Sequence, residues 1–140
     1  MTITHQIEVS AVIDQPVQTV WDAFTTPEDI TQWNQASEDW HCPEARQDLR
    51  VGGRFSSLMA AKDGSMQFEF SGEYTKVEPA QRYEYRLDDG RMVSVDFEAV
   101  TPEQTRLTER FDPEQMNPLE MQQAGWQAIL DGFKSYVEKK

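Results

Sequence analysis

One glutamate in this sequence lies on the apolar side of a predicted strand, where an acidic residue is not expected. Glu109 shares its side of the last predicted strand with Leu107 and Phe111, because alternate residues of a strand face the same way. A carboxyl group held in an apolar site has a raised pKa and could act as a general acid or base. Two alternatives stay open: Glu109 could pair with a nearby arginine, or Thr108 and Arg110 could form the inward set instead. Glu109 is therefore the one candidate catalytic residue.

The other acidic residues of the predicted strands occupy the polar side. Arg82 and Arg86 balance this solvated set, which contains Glu69, Glu73, Asp96 and Glu98. Catalysis by paired carboxylates requires two of them to converge in one cavity. The pattern places no second carboxylate beside Glu109, and no arrangement of a nucleophile with a base is readable.

His41 and Cys42 are not expected to form a metal site. Adjacent residues of an extended segment point to opposite faces, and the sequence offers no second ligand pair at a suitable spacing. Either side chain could still border the entrance of a pocket. Gly52 and Gly53 lack the further glycine and the lysine of a phosphate-binding loop. We therefore expect neither a metal nor a cofactor.

Aromatic and other large apolar side chains recur on the apolar sides of the predicted elements and could line a ligand cavity. Aromatic faces stack on flat ligands, and methionine adapts to irregular shapes. Ordinary core packing gives the same periodicity, so the pattern alone does not separate the two uses. Trp126 is the strongest single candidate, because a helix covering a concave sheet must face it. Gln122 and Gln123 could orient a ligand, but we expect them at the solvent edge of that helix. The predicted cavity residues are Trp33, Trp40, Phe55, Met59, Phe68, Phe70, Tyr83, Tyr85, Met92, Phe97, Trp126 and Leu130.

Alternating segments predict the strands that would position these side chains. The segments span residues 3–13, 54–59, 67–78, 82–87, 92–100 and 105–111. Asp63-Gly64 and Asp89-Gly90 are hairpin signals, and short turns make consecutive strands antiparallel neighbours. The sequence predicts no clear secondary structure for residues 34–50, apart from an extended stretch that begins at Trp40 and precedes Pro43. The strands after residue 53 are therefore predicted to form a meander.

Three segments have the spacing of amphipathic helices. Asp14-Gln15-Pro16 begins the first, and Thr26-Pro27 begins the second. Asn117-Pro118 begins the longest, which runs to about residue 138 with one apolar stripe. Only this helix offers enough apolar surface to cover the sheet. The order of elements predicts an α+β fold in which a curved antiparallel sheet wraps around a long C-terminal helix.

The charge of the chain argues against two classes of partner. Its formal net charge is −12, from 25 acidic and 13 basic residues. A surface that negative repels phosphate backbones and anionic lipid headgroups. We therefore expect no nucleic-acid binding and no membrane insertion, and the charge favours solubility.

Length and cysteine content indicate one domain in a reducing compartment. The 140 residues fit a single domain over residues 1–140, as a monomer or a homodimer. Cys42 is the only cysteine, so an intrachain disulfide is excluded. The N-terminal residues lack the basic and apolar regions of a secretory signal. We expect a cytoplasmic protein.

Four groups of segments carry a likeness to a known family. They are Asp14–Phe24 with Thr26–Glu28 and Trp33; Leu49–Phe55; Gly72–Pro79 with Arg82-Tyr83; and Gly125-Trp126 with Leu130 and Tyr136–Glu138. In this order, and over nearly the whole chain, they resemble the domain of the activator of Hsp90 ATPase homologues. That family lies within the START/Bet v 1-like (SRPBCC) superfamily of polyketide cyclases and lipid-transport proteins.

The resemblance implies a helix-grip fold with a cavity between the sheet and the long helix. Superfamily members transport lipids, bind hormones, cyclise polyketides or contact a chaperone. Three functions follow for this chain, and binding of a hydrophobic small molecule, lipid-like or aromatic, ranks first. The second is contact with an Hsp90-type chaperone as a stress-response adaptor, although the chain has no room for the separate N-terminal domain of the eukaryotic activators. The third is cyclase- or hydrolase-type catalysis in the same cavity.

Overall fold

The computed structural model describes residues 6–35 and 37–140, so Ile3, Thr4 and His5 of the first predicted strand lie outside it. Seven strands and three helices form over the described residues. In chain order they are β1 (Ile7–Ile13), α1 (Val17–Thr25), α2 (Pro27–Trp33), β2 (Trp40–Gln47), β3 (Arg54–Ala61), β4 (Gln67–Glu78), β5 (Arg82–Leu87), β6 (Met92–Thr101), β7 (Gln104–Phe111) and α3 (Leu119–Glu138).

The strands form one antiparallel sheet in the order β1-β7-β6-β5-β4-β3-β2. Strands β2 to β7 are a meander, and β1 closes the far side by pairing with β7, with Ile7 opposite Phe111. The sheet curls into a half-barrel around α3. The predicted α+β helix-grip fold is therefore confirmed.

Strand β2 continues beyond the short extended stretch that the sequence predicts. Its register against β3 shifts between His41 and Glu44, which places Pro43 in a bulge of an edge strand. A bulge at a sheet edge tolerates a residue that has no backbone N–H to donate. The irregular burial of β2 that results explains why its sequence does not alternate clearly.

Helix α3 packs most of its predicted stripe against the sheet and the two short helices, but Leu119, at the start of that stripe, is exposed. Leu130, Phe133 and Val137 are fully buried. Half-buried Trp126 stacks on Phe111 of β7, with 3.8 Å between ring centroids and 14° between their planes. At the other end, the Gln15 side-chain amide donates to the carbonyl oxygen of Val137 at 2.9 Å, which ties the helix to the β1–α1 loop.

The turn that leads into β3 leaves no space for a side chain at its second glycine. A Cβ atom on Gly53 would lie 2.0 Å from the carbonyl oxygen of Asp48. We expect Gly53→Ala to lower the free energy of unfolding by about 2 kcal/mol, because the turn must open to admit the methyl group. Gly125→Ala is the matched control: a Cβ there meets nothing within 4 Å, so higher helix propensity should raise stability by about 0.5–1 kcal/mol. Urea denaturation measures both, and equal effects of the two substitutions would contradict the prediction.

The outer surface carries the polar side of the strands. The four carboxylates predicted there are exposed or half-buried, as expected, and Asp96 pairs with both Arg82 and Arg110. Among residues 6–35 and 37–140, no helix combines the length and the apolar character needed to cross a membrane.

Candidate functional site

A cavity of about 300 Å³ lies between the concave face of the sheet and helices α2 and α3. The sheet contributes residues of β2 to β7, and α3 contributes Trp126 and Ile129. Eight of the predicted cavity residues line it: Trp33, Phe55, Met59, Phe68, Phe70, Tyr83, Tyr85 and Trp126. The structure therefore brings most of the predicted set together around one open space, and their binding role stays a prediction.

Two predicted residues lie outside the cavity for reasons of position along the sheet. Trp40 lies on edge strand β2 and supports the lining residue Phe68, with 5.9 Å between ring centroids. Phe97 lies further along β6 than the lining residue Val95, where it packs against Trp21 of α1 at 5.0 Å between ring centroids. Phe97 therefore belongs to the solid core, because α1 fills the space over that part of the sheet.

Met92 and Leu130 are also absent from the lining, for reasons of direction. Met92 lies on the side of β6 opposite Val95, because side chains alternate along a strand. Leu130 is fully buried, and its neighbour Ile129 faces the cavity instead. One residue along a helix changes the direction of the side chain by about 100°. Assigning either position to the cavity was wrong.

Several lining residues escape the sequence analysis. Ser57 lies between Phe55 and Met59 on the same side of β3, so its parity was a usable signal. Tyr74 continues the side of β4 that carries Phe68 and Phe70. The remaining unpredicted lining residues are Phe24, Ile30, Asn34, Gln47, Arg91, Val95 and Ile129. Asn34 and Gln47 lie in the segment without readable periodicity, and Arg91 lies in a turn.

Glu109 lines the cavity, and its side chain is buried. On the two strands that flank β7, the residues opposite Glu109 are Val9 of β1 and Val95 of β6, and both are apolar. Burial raises the pKa of the Glu109 carboxyl from its ordinary value of 4.5 to about 8. Within the described chain, the carboxyl group has no hydrogen-bond or ion-pair partner, and desolvation is the only cause of the shift.

Both alternatives to an inward, unpaired Glu109 are excluded by the structure. Arg110 points outward, where its guanidinium pairs with Glu8 at 2.7 Å and with Asp96 at 3.3 Å. Thr108 shares that outward side and is half-buried. Strand β7 thus presents Glu109, with Leu107 and Phe111, to the interior.

Three tyrosines stand close together in the wall of the cavity. Tyr74 and Tyr83 lie 5.6 Å apart, and Tyr83 and Tyr85 lie 6.0 Å apart, measured between ring centroids. The Tyr74 hydroxyl donates to Oε1 of Gln47. Burial raises the pKa of Tyr83 and of Tyr85 well above the ordinary value, so both stay neutral at physiological pH.

Three side chains of the interior have oxygen atoms for which no hydrogen-bond partner is found among the described residues, and these oxygen atoms reach into the cavity. Within the described ranges, every fully enclosed side-chain nitrogen or oxygen atom has a hydrogen-bond partner. No partner is found there for the Tyr83 hydroxyl, the Tyr85 hydroxyl or the Glu109 carboxyl. These oxygens must therefore touch open space, and the open space beside all three residues is the cavity.

The cavity also has a charged side chain of the opposite sign. Arg91 lines it with a side chain that is 25% exposed, and its Nε atom pairs with Asp89 at 2.8 Å. Phe68 is also partly open to solvent, with 53% of its surface exposed. A ligand in this cavity would meet an apolar, mainly aromatic wall. It would also meet one carboxyl group that has no partner among the described residues, and one guanidinium that already has a partner.

The two glutamines of α3 differ from each other. Gln122 is buried and closes the loop before the helix: its Oε1 accepts from the Glu114 backbone N–H at 2.9 Å, and its Nε2 donates to the Asn117 carbonyl at 2.8 Å. Placing Gln122 at the solvent edge was therefore wrong. Gln123 is exposed, as predicted, and donates to the Glu8 carbonyl at 3.2 Å.

A half-barrel sheet that holds a long helix over an apolar cavity defines the helix-grip class of the SRPBCC superfamily, a fold that commonly binds hydrophobic ligands. The family model described as "Activator of Hsp90 ATPase homolog 1-like protein" matches residues 14–138. The chain belongs to this family.

Solved structures of bacterial proteins agree with this assignment. The solution structure of the AHSA1-like protein from Aeromonas hydrophila is 48% identical, with 95% of this chain and 93% of that chain covered and a TM-score of 0.85. A protein from Cytophaga hutchinsonii is 46% identical, with 96% and 92% covered and a TM-score of 0.82. A protein from Chromobacterium violaceum, 24% identical with 96% and 98% covered and a TM-score of 0.83, shows the fold alone. No protein with a curated description matches the chain.

Proposed function

We propose that the protein binds an apolar, largely aromatic small molecule in the cavity between the sheet and helix α3. The observation that carries the proposal is the open space of about 300 Å³ inside a wall of aromatic side chains. Small-molecule sites begin at roughly this volume, and they combine an apolar lining with a few polar groups. The rings of Phe70 and Trp126 lie 6.0 Å apart in a nearly perpendicular arrangement, so a flat ligand could stack on one while contacting the edge of the other.

A thermal-shift experiment tests this proposal with an apolar fluorescent probe and a panel of aromatic and acyl compounds. A ligand present at a hundredfold excess over its Kd stabilises the folded protein by about 2.7 kcal/mol. For a chain of this length we expect Tm to rise by several degrees. If no compound of the panel shifts the melting curve at saturating concentration, the proposal fails.

Trp126→Ala should abolish the ligand-induced rise in Tm, because the substitution removes an aromatic face of the cavity wall. The variant also loses the stacking on Phe111, so the comparison must be the rise in Tm of each variant, not its Tm without ligand. Leu119→Ala is the control on the same helix, since Leu119 is exposed and lies outside the cavity lining. A full ligand response in Trp126→Ala would contradict the placement of the site.

A second function, acid–base catalysis on a bound molecule, is favoured by the buried carboxyl of Glu109. Its raised pKa lies close to neutrality, where a carboxyl group can both donate and accept a proton. Incubation of a metabolite extract with the protein, followed by mass spectrometry, tests it. A product formed by the wild type and not by Glu109→Gln supports catalysis, and identical profiles contradict it.

The Hsp90 contact implied by the resemblance is a separate hypothesis, which a pull-down from lysate at low and high salt would test.

A further inference from the structure

Glu109 is a buried acid that has no hydrogen-bond or ion-pair partner among the described residues. An isolated carboxylate in an apolar site is very unfavourable, and buried charges in proteins are normally paired. Glu109 is only 7% exposed, and the described residues supply no donor to its oxygens. A ligand that enters the cavity is positioned to supply one.

Aromatic rings that line the same cavity as this acid form a wall suited to a cation. Phe55 and Tyr85 lie 4.6 Å apart between ring centroids, and Phe70 lies 6.3 Å from Tyr85. The negative face of an aromatic ring attracts an ammonium group, most strongly where water is excluded. The aromatic walls and the acid therefore both favour a positive charge on the ligand.

The other charges of the molecule also favour a positively charged ligand. The net charge of −12 raises the concentration of cations near the surface. Arg91 is the one described cationic side chain in the cavity lining, and it would favour an anionic ligand. Its guanidinium already pairs with Asp89 at 2.8 Å, however, whereas Glu109 has no such partner. Of these two ionisable groups, the one that lacks a partner among the described residues is thus the acid.

We propose that the cavity selects aromatic molecules that carry an ammonium group, and that the carboxylate of Glu109 pairs with this group. The inference rests on the proposed ligand-binding function and specifies the class of ligand. No covalent bond forms between ligand and protein: the carboxyl group of Glu109 releases its proton to solvent, and the ammonium pairs with the resulting carboxylate.

Exchange of a proton for an ammonium makes binding depend on pH. The other titratable side chains in the cavity lining are Tyr74 of β4, Tyr83 and Tyr85 of β5, and Arg91 in the turn before β6. The three tyrosines stay neutral between pH 6 and 8, and arginine side chains in general do not lose their proton in proteins. Helices α1, α2 and α3 contribute only uncharged side chains to the lining. Glu109 is therefore the group in this lining that changes charge over that range, since its pKa is about 8.

The experiment compares 2-naphthylmethylamine with its neutral analogue 2-naphthylmethanol and with anionic 2-naphthoic acid, by calorimetric titration at pH 6, 7 and 8. We expect the amine to bind at least tenfold more tightly than the alcohol at pH 8. Its affinity should fall by up to tenfold for each unit of pH below 8, because protons compete for Glu109. The affinity of the alcohol should change little with pH.

Glu109→Gln should remove both the preference for the amine and its pH dependence while the alcohol still binds. Glu98→Gln, an exposed substitution on the neighbouring strand, should leave both unchanged. If the alcohol binds as tightly as the amine at pH 8, or if the acid binds most tightly, the inference about the ammonium is overturned and the cavity remains a binding site. If none of the three compounds binds at any pH, the proposed function itself is contradicted.

Discussion

Glu109→Gln should make the protein more stable at pH 7, by about 3 kcal/mol in the free energy of unfolding. The folded protein must keep this carboxyl protonated at pH 7, because burial raises its pKa from 4.5 to about 8. The unfolded chain has no such requirement, so the chain must take up a proton when it folds. This proton uptake lowers the free energy of unfolding by about 1.4 kcal/mol for each pH unit above 4.5. Glutamine has nearly the same shape and no proton to acquire.

The direction of the pH dependence follows from proton uptake. Below about pH 4.5 both states of the wild type hold the proton, and the variant should have no advantage. Between about pH 4.5 and 8 the folded state binds more protons than the unfolded state, so the stability of the wild type falls relative to the variant. Above about pH 8 both states are ionised, and the difference should level off at about 5 kcal/mol. Urea denaturation of both proteins from pH 4 to 9 measures this curve.

Glu98→Gln supplies the control for the loss of a negative charge as such. Glu98 lies on the outer face of β6, where it contacts Arg106 at 3.4 Å. Substitutions of exposed residues of this kind usually change stability by less than 0.5 kcal/mol. A Glu109→Gln variant that is no more stable than the wild type at pH 8 would show that the carboxyl is solvated or paired, contrary to the structure.

A stability cost at Glu109 is also an argument about function. An apolar residue at this place would leave a more stable protein, because no carboxyl would need to be desolvated. Buried groups with strongly shifted pKa values concentrate at functional sites, although some serve only structure. The same substitution is the test of the ammonium proposal, so one variant reports on both stability and ligand choice.

The sequence predicts most of the sheet because its strands have one polar and one apolar side. That alternation locates β4 and β5 at their observed bounds and places Glu109 inside. It fails at β2, where a proline bulge in an edge strand interrupts the pattern and the partner strand supplies the pairing. Local propensity carries little information where tertiary contacts determine the conformation.

The cavity is harder to predict than the sheet because it depends on distances between elements. Val95 and Phe97 share one side of β6, yet only Val95 faces open space, since α1 covers Phe97. Nothing in the periodicity of β6 says where α1 ends. Leu130 and Ile129 show the same limit on the helix: both are apolar, and the exact rotation of α3 decides which one lines the cavity.

Phe133→Ala should lower the free energy of unfolding by about 3–5 kcal/mol, the usual range for removing a fully buried phenylalanine. The ring of Phe133 on α3 meets Phe24 of α1 at 4.9 Å and Trp33 of α2 at 5.0 Å between centroids. These three rings hold the three helices together at one end of the cavity. A loss of this size is a large part of the total stability of a domain, which is typically about 5–15 kcal/mol.

The matched comparison for this loss is Phe68→Ala, which removes an identical ring from a position that is half exposed. We expect it to cost less than about 1 kcal/mol in urea denaturation, because little apolar surface is lost from the core. Phe68 lines the cavity, however, so this variant should bind the aromatic probe more weakly. Phe133→Leu, which keeps most of the volume, should lie between the two in stability. If Phe133→Ala costs no more than Phe68→Ala, the three helices are not joined by this cluster, and the end of the cavity that it closes must be held in another way.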